Sequence, residues 1–310
     1  MRTPIIIDTD PGIDDAIALA LAAASDEVDV RAIIAVAGNV GLEHTAPNAA
    51  GLADLLGLAC PVGRGASGPL WRRDTKPARA VHGEDGLGGY PLAASSRLVQ
   101  PGLELMAQAI EDSPTPPVLV AIGPLTNVAG LLTHYPEQAA QLERIVFMGG
   151  GTGEHLGNVT AAAEFNLYSD PDAGARVLAG GVPITMVGLN VTERALVSWE
   201  DFGELRRSGG PVCHLVEHLL GNYGSEARAG GKAQHDSLAL AAAIWPEQFR
   251  VESRFVDVEN TGRLTSGMTV VDWAGASGQA PNCEVVVDFS PTWFRQLLTE
   301  RLAHLDRILR

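Results

Sequence analysis

Ile5, Ile6 and Ile7 form an apolar, β-branched run with no polar residue alternating between them. A strand of this kind needs cover on both faces, and helices on a parallel sheet supply it. The next segments repeat the theme. "IDDAIALALAAAS" reads as a helix rich in alanine and leucine, and "VDVRAIIAVAG" as a second strand. "LEHTAPNAAGLADLLGL" reads as a helix that Pro47 should bend or interrupt, and "CPVGRG" as a short third strand. This βαβαβ rhythm implies a mostly parallel sheet with right-handed crossovers. It breaks over residues 64–100, rich in Gly, Pro and charge, where a functional loop is expected. It resumes with a helix over 102–112, strand "PVLVAIG", helix "LTNVAGLLTHY" and strand "ERIVFMGG". An irregular stretch leads to a helix over 171–180 and strand "VPITMVGL". Helices are predicted near 199–207, 212–228 and 237–244. The tail offers strands "RFVDVE", "GMTVVDW" and "CEVVVDF", then the amphipathic helix "PTWFRQLLTERLAHLDRIL". No repeat or linker divides the 310 residues. The expected fold is one α/β domain over 1–310. Its mostly parallel central sheet is flanked by helices, its N-terminal part is Rossmann-like, and strands are added at the C-terminal end.

Bulk properties narrow the partners. The formal net charge is −15 and the pI about 4.9, opposite in sign to a nucleic-acid binder. Neither a secretory h-region nor a run of about 18 apolar residues is visible, so no membrane association is expected. The three cysteines, Cys60, Cys213 and Cys283, are odd in number and lack CxxC spacing. A disulfide framework or zinc ribbon is therefore not expected, and a cytoplasmic location is.

Ligands of open parallel sheets bind beyond the carboxyl ends of the strands. Asp8, Asp10, Asp14 and Asp15 follow the first strand, and Asn39 follows the second. "IGPLTN" follows the "VLVA" strand. "GGG" follows "IVFM", with Asn158, Glu164 and Asn166 beyond, and Asn190 follows "TMVG". Carboxylates crowded at one strand end repel one another and lose hydration. A hard divalent cation such as Ca²⁺, which takes six to eight oxygens, removes that cost. Helix capping is the competing reading, though it uses one or two of the four aspartates. An EF-hand is excluded, because the twelfth position from Asp8 is Leu19. Further along, His235 and Asp236 stand at a helix start, where Asp236 or Ser237 could simply cap the helix. His82 lies in the glycine-rich loop "VHGEDGLGG".

Together these pieces resemble the inosine–uridine-preferring nucleoside hydrolase family across nearly the whole chain. The resemblance is carried by "DTDPGIDDAIAL", "GN" at 38–39, "HGEDGLG", "GPLTN" and "MGGG". "GN" at 157–158, "AEFN", "PITMVGL", "HD" at 235–236 and "GRLTSGMTVVDW" extend it. It implies hydrolysis of a ribonucleoside to ribose and free base, with one Ca²⁺ at the floor of a deep pocket. The implied metal ligands are Asp10, Asp15, the backbone carbonyl of Ile122, and Asp236. The implied ribose partners are Asp14, Asn39, Glu164, Asn166 and Asn158, with Met148 lining the pocket. Asp8 matches no family ligand and is expected to be structural. Base specificity would fall to His82, Phe165, Tyr223 and His235, and the choice between purine and pyrimidine is left open.

The residue types suit the chemistry. Cleaving an N-glycosidic bond passes through an oxocarbenium-like state that carboxylates stabilise. Asp10 is the candidate general base toward water, and His235 the candidate acid toward the leaving base. Two other readings compete: a non-catalytic ribonucleoside or ribose binder on the same scaffold, and a haloacid-dehalogenase-type phosphatase read from "IIIDTDPG". The second leaves "IDDA", "AEFN" and "HD" unexplained. A nucleoside-salvage enzyme assembled as a homodimer or homotetramer is expected.

Overall fold

The computed structural model describes residues 2–71, 78–97, 99–222 and 231–310. Strands on the N-terminal side are β1 (Thr3–Thr9), β2 (Val28–Ala35), β3 (Val62–Arg64), β4 (Val99–Pro101), β5 (Val118–Ala121), β6 (Arg144–Met148) and β7 (Ile184–Val187). After them come β8 (Leu196–Val197), β9 (Lys232–Ala233), β10 (Phe249–Arg254), β11 (Val256–Glu259), β12 (Met268–Val271) and β13 (Cys283–Phe289). Nine of them form one sheet in the order β10-β13-β7-β6-β5-β1-β2-β3-β4. Every neighbouring pair is parallel except β10 with β13. The fold is thus α/β, with a mostly parallel central sheet flanked by helices.

The isoleucine run explains why the sheet is sandwiched. Successive strand side chains point to opposite faces. Ile5 and Ile7 enter one hydrophobic layer with the helix Ile13–Ala23, while Ile6 enters the other with Ile34 and Leu119. The helix Ile13–Ala23 is buried along nearly its whole length and packs against helices His235–Ile244, Pro291–Ile308 and Pro211–Asn222. A helix apolar on all sides requires such enclosure.

Strand order reverses at β1. From there the chain builds outward through β2, β3 and β4 on one side and β5, β6 and β7 on the other. The gap between the ends of β1 and β5 is the topological switch point, where ligands of open α/β sheets bind.

Several expectations need correction. Pro47 does not interrupt its helix, which runs unbroken from Leu42 to Leu55. "RFVDVE" is not one strand. Its first residue, Arg254, ends β10, which adds antiparallel to β13 at the sheet edge. β11 pairs instead with β12 in a separate hairpin. The polar run 252–254 followed by the adjacent apolar pair Phe255 and Val256 breaks the alternation where β10 ends, a phase slip that the single-strand reading passed over. The strands β4, β8 and β9 are two or three residues long, too short to show a period.

Asn127 of the "GPLTN" segment ties the switch point together. Its amide donates to Asp8 Oδ1 (3.0 Å) and to the Ala35 carbonyl (3.3 Å), and its oxygen accepts from the Ala66 amide (2.8 Å). It thus joins β1, β2 and the segment after β3. Asp8 is fully enclosed, and burial pushes its pKa up to about 8 against the hydrogen bond from Asn127. We expect Asn127→Ala to cost about 2–3 kcal/mol, because buried partners lose their hydrogen bonds. A fall in denaturation midpoint at unchanged m-value is the readout; an unchanged midpoint would show that the bridge carries no stability.

Candidate active site

The site grows from the turn between β1 and the helix Ile13–Ala23. Asp15 folds back across this turn. Its Oδ1 accepts from the Thr9 hydroxyl (2.5 Å) and the Asp10 amide (3.1 Å), and its Oδ2 from the Gly12 amide (2.9 Å) and the Asn39 side chain (3.1 Å). Capping is therefore one role of the aspartate cluster, and Asp15 performs it. Asp10 points across the end of β1. Its Oδ2 accepts from the Asn39 backbone amide at 2.7 Å, while its Oδ1 is buried with no hydrogen-bond partner. Two glycines make this packing possible. A Cβ on Gly123 would lie 2.6 Å from Asp10 Oδ1, and one on Gly12 would lie 2.6 Å from His82 Nδ1.

A cavity of 450 Å³ opens here. Asp10, Asp14, Asn39, His82, Ile122 and Met148 line its sheet side. Asn158, Glu164, Phe165, Asn166, His235 and Asp236 line it as well. Residues read from sequence separations of more than 200 positions thus meet at one cavity. Asp15 is fully buried outside this lining. Tyr223 lies outside the described residues. Asn190 turns elsewhere: its amide donates to the Val286 carbonyl at 2.9 Å.

His235 and Asp236 open the helix His235–Ile244, and Gln234 occupies the cap position. Neither Asp236 nor Ser237 caps the helix, so the capping explanation of "HD" does not hold. The Asp236 carboxylate lies instead against those of Asp14 and Asp15. His235 Nδ1 sits 2.8 Å from the Thr192 hydroxyl. His82 Nδ1 accepts from the Ile13 amide at 3.0 Å. Burial lowers the His82 pKa, against the pull of Asp14, which lies 4.0 Å away.

The opposite wall is held by backbone hydrogen bonds. Glu164 caps the helix Phe165–Ser169, accepting from the amides of Asn166, Leu167 and Gly150. Burial outweighs these bonds and raises its pKa to about 7. The Asn158 side chain accepts from the Phe165 amide (3.0 Å). Asn166 donates to the carbonyls of Ile122 and Met148, both at 3.1 Å.

Burial followed by mutual repulsion dominates the electrostatics. Burial and the Asp15 charge push Asp10 well above the ordinary carboxylate range. Burial, then Asp14, Asp15 and Asp10, do the same to Asp236. Burial and Asp14 raise Asp15 to about 6. Carboxylate oxygens of Asp14, Asp15 and Asp236 lie within 4.8 Å of one another. Two oxygens on one Ca²⁺ are separated by at most about 5 Å, twice the Ca–O distance. The cluster and the unpartnered Asp10 Oδ1 beside it therefore fit a metal ion. Asp14, read from sequence as a ribose partner, belongs to this acidic group by distance.

Eight residues of the cavity wall escaped the sequence reading: the small Ala78, Ala80, Gly231 and Ala233, and the larger Val81, Val159, Glu193 and Lys232. Glu193 follows β7 closely, in "GLNVTE", so extending the strand-end search three residues past Asn190 would have reached it. Lys232 enters through the short β8–β9 pairing, which carries no sequence signal.

Comparison with known proteins agrees with this geometry. The model of the family described as inosine-uridine preferring nucleoside hydrolase matches residues 5–296. The chain is 44% identical over 311 residues to the pyrimidine-specific ribonucleoside hydrolase RihA of Citrobacter koseri, covering 98% of this chain and 99% of the relative. It is 41% identical over 308 residues to the non-specific ribonucleoside hydrolase RihC of Escherichia fergusonii, covering 98% and 99%. Among solved structures, the purine-preferring ribonucleoside hydrolase from Gardnerella vaginalis superposes with a TM-score of 0.91 at 28% identity, over 98% of this chain and 99% of that one. An inosine-guanosine nucleoside hydrolase gives 0.88 at 30% identity, over 97% and 99%. With the fold, the acidic switch point and these matches in agreement from end to end, the chain belongs to the inosine-uridine preferring nucleoside hydrolase family and is a ribonucleoside hydrolase.

Proposed function

We propose that this enzyme is calcium-dependent and acts chiefly on pyrimidine ribonucleosides, releasing ribose and uracil or cytosine. The observation that carries the reading is the convergence of Asp10, Asp14 and Asp236 with the amides of Asn39, Asn158 and Asn166 on one cavity. The pyrimidine preference is supported by the 44% identity to a protein named pyrimidine-specific. Cytoplasmic location, action as one unit over 1–310 and assembly as a homodimer or homotetramer form part of the same proposal. Three free, buried cysteines suit a reducing compartment.

Asp10, Asp15, Asp236 and the Ile122 carbonyl would hold the Ca²⁺. When bound, it would supply positive charge that acidifies water and organises the ribose diol. Asp10 takes the proton of the attacking water through the oxygen that has no protein partner. Asp14, Asn39, Asn158, Glu164 and Asn166 hold the ribose hydroxyls, while the nearby carboxylates stabilise the oxocarbenium-like ring. His235, braced at Nδ1 by Thr192, gives a proton to the departing base. Pairing both ribose hydroxyls makes a 2′-deoxy substrate poor, because a buried polar group loses its partner.

Three outcomes test this reading. Exhaustive chelation should lower the melting temperature and abolish ribose release, with calcium restoring both. The stabilisation should be about 3–4 kcal/mol at 100 to 1,000 times the dissociation constant. Full turnover by metal-free protein would exclude the metal. Across uridine, cytidine, inosine, adenosine and 2′-deoxyuridine, kcat/KM should favour uridine and cytidine over inosine by about tenfold or more, the scale of roughly 1.4 kcal/mol. Equal or better use of inosine would remove the pyrimidine assignment. Asp10→Asn keeps the shape but cannot take up the proton, so kcat should fall by about 10²–10⁴. Metal content is to be measured beside the rate, and a metal-replete variant of near-normal kcat would remove Asp10 from this role.

A further inference from the structure

The hydrolase reading assigns the cavity floor to ribose but leaves open which polar group meets the leaving base. We propose that Glu193 is the side chain that reads an N–H on the edge of that base, oriented for the task by His155. The inference rests on the hydrolase reading and specifies the recognition of its substrate.

Glu193 ends the short helix Leu189–Thr192 that leaves β7, and it lines the cavity. Its carboxylate is largely buried, with a side-chain exposure of 14%, and His155 Nδ1 meets Oε2 at 2.7 Å. That bond comes from the loop after β6, outside the ribose-facing amides, and limits rotation of the carboxylate. The preceding residue, Thr192, bonds His235 Nδ1 at 2.8 Å. In the chain, Glu193 thus directly follows the residue that braces the candidate leaving-group acid. The Gln234 amide donates to the Ala195 carbonyl (3.0 Å), fixing the chain before His235 beside the chain after Glu193. Of the other cavity carboxylates, Asp10, Asp14 and Asp236 belong to the acidic cluster, and Glu164 accepts from three backbone amides.

A carboxylate only accepts hydrogen bonds. It therefore selects a ring that presents N–H, as uracil does at N3 and cytosine at its exocyclic amine. A site built to bond an N–H rejects analogues that lack it, because the buried acceptor is left unpaired. A hydrogen bond to a charged group contributes enough to change kcat/KM by about 10- to 100-fold.

The test compares wild type with Glu193→Leu, similar in size without an acceptor, and with Glu193→Gln, which keeps one acceptor oxygen. Substrates are uridine, 3-methyluridine and a nitrophenyl riboside, whose leaving group has no N–H. Wild type should prefer uridine to 3-methyluridine by about 10- to 100-fold. Glu193→Leu should erase that preference and lower kcat/KM on uridine at least tenfold more than on the nitrophenyl riboside. Glu193→Gln should recover most of the loss. Equal losses on all three substrates, or no loss on uridine, would overturn the inference. If wild type released no ribose from any substrate, the hydrolase reading would fail by itself. Uridine affinity, measured by calorimetry on the same proteins, would then decide: weaker binding by Glu193→Leu supports the role, and unchanged binding overturns it.

Discussion

Repulsion among buried carboxylates is the constraint around which this structure is arranged. Asp10, Asp14, Asp15 and Asp236 share a volume from which water is largely excluded, and each is buried to within a few per cent. Groups so placed are destabilising unless hydrogen bonds or a cation offset them. The protein supplies the hydrogen bonds at Asp15, where Thr9, Gly12 and Asn39 donate, and at Asp10, where the Asn39 amide donates. It leaves Asp10 Oδ1 unpaired. The cluster fits a metal ion that would supply the remaining offset, and on the proposed function folding, metal binding and catalysis would then meet in one cluster.

The surrounding architecture follows from the need to hold that cluster rigidly. β1 lies in the middle of the sheet, hydrogen-bonded on both sides. The helix after it is enclosed by three others, so the Asp14–Asp15 turn has little freedom. Asn127 bridges below the cluster, and Thr269 of the late hairpin bonds Gly151 on both its amide and carbonyl, bracing the opposite wall. Side chains held by packed secondary structure keep catalytic geometry better than side chains on free loops.

The cavity lining mixes two kinds of residue. The carboxylates and amides suit the diol and developing positive charge of the proposed reaction, whereas Val81, Val159, Phe165, Glu193 and Lys232 offer apolar surface beside polar groups. His82 lines the same cavity, where its imidazole accepts from the Ile13 amide and burial favours the neutral form.

Local sequence was enough for the parts whose cause is local. Unbroken β-branched runs require cover on both faces, so the parallel sheet and its helices were legible, as was the carboxyl edge on which a ligand would sit. Aspartates at a strand end pointed to a cation site because like charges repel wherever they are buried, and the structure gathers Asp14 and Asp15 with Asp236 closely enough to hold one, while Asp8 bonds Asn127 instead. Other features depend on distant partners and waited for the tertiary structure. The grouping of Asp14 with Asp15 and Asp236 depends on how the helix His235–Ile244 docks beside Ile13–Ala23. The separation of β10 from β11 depends on the edge that β13 offers. Lys232 reaches the cavity through the two-residue β8–β9 pairing, and Glu193 through the short helix after β7, in chain segments with no period of their own. Charge and hydrophobicity are properties of residues, and the sequence carries them. Which side chains share a wall is a property of packing between segments far apart in the chain, and only the folded structure decides it.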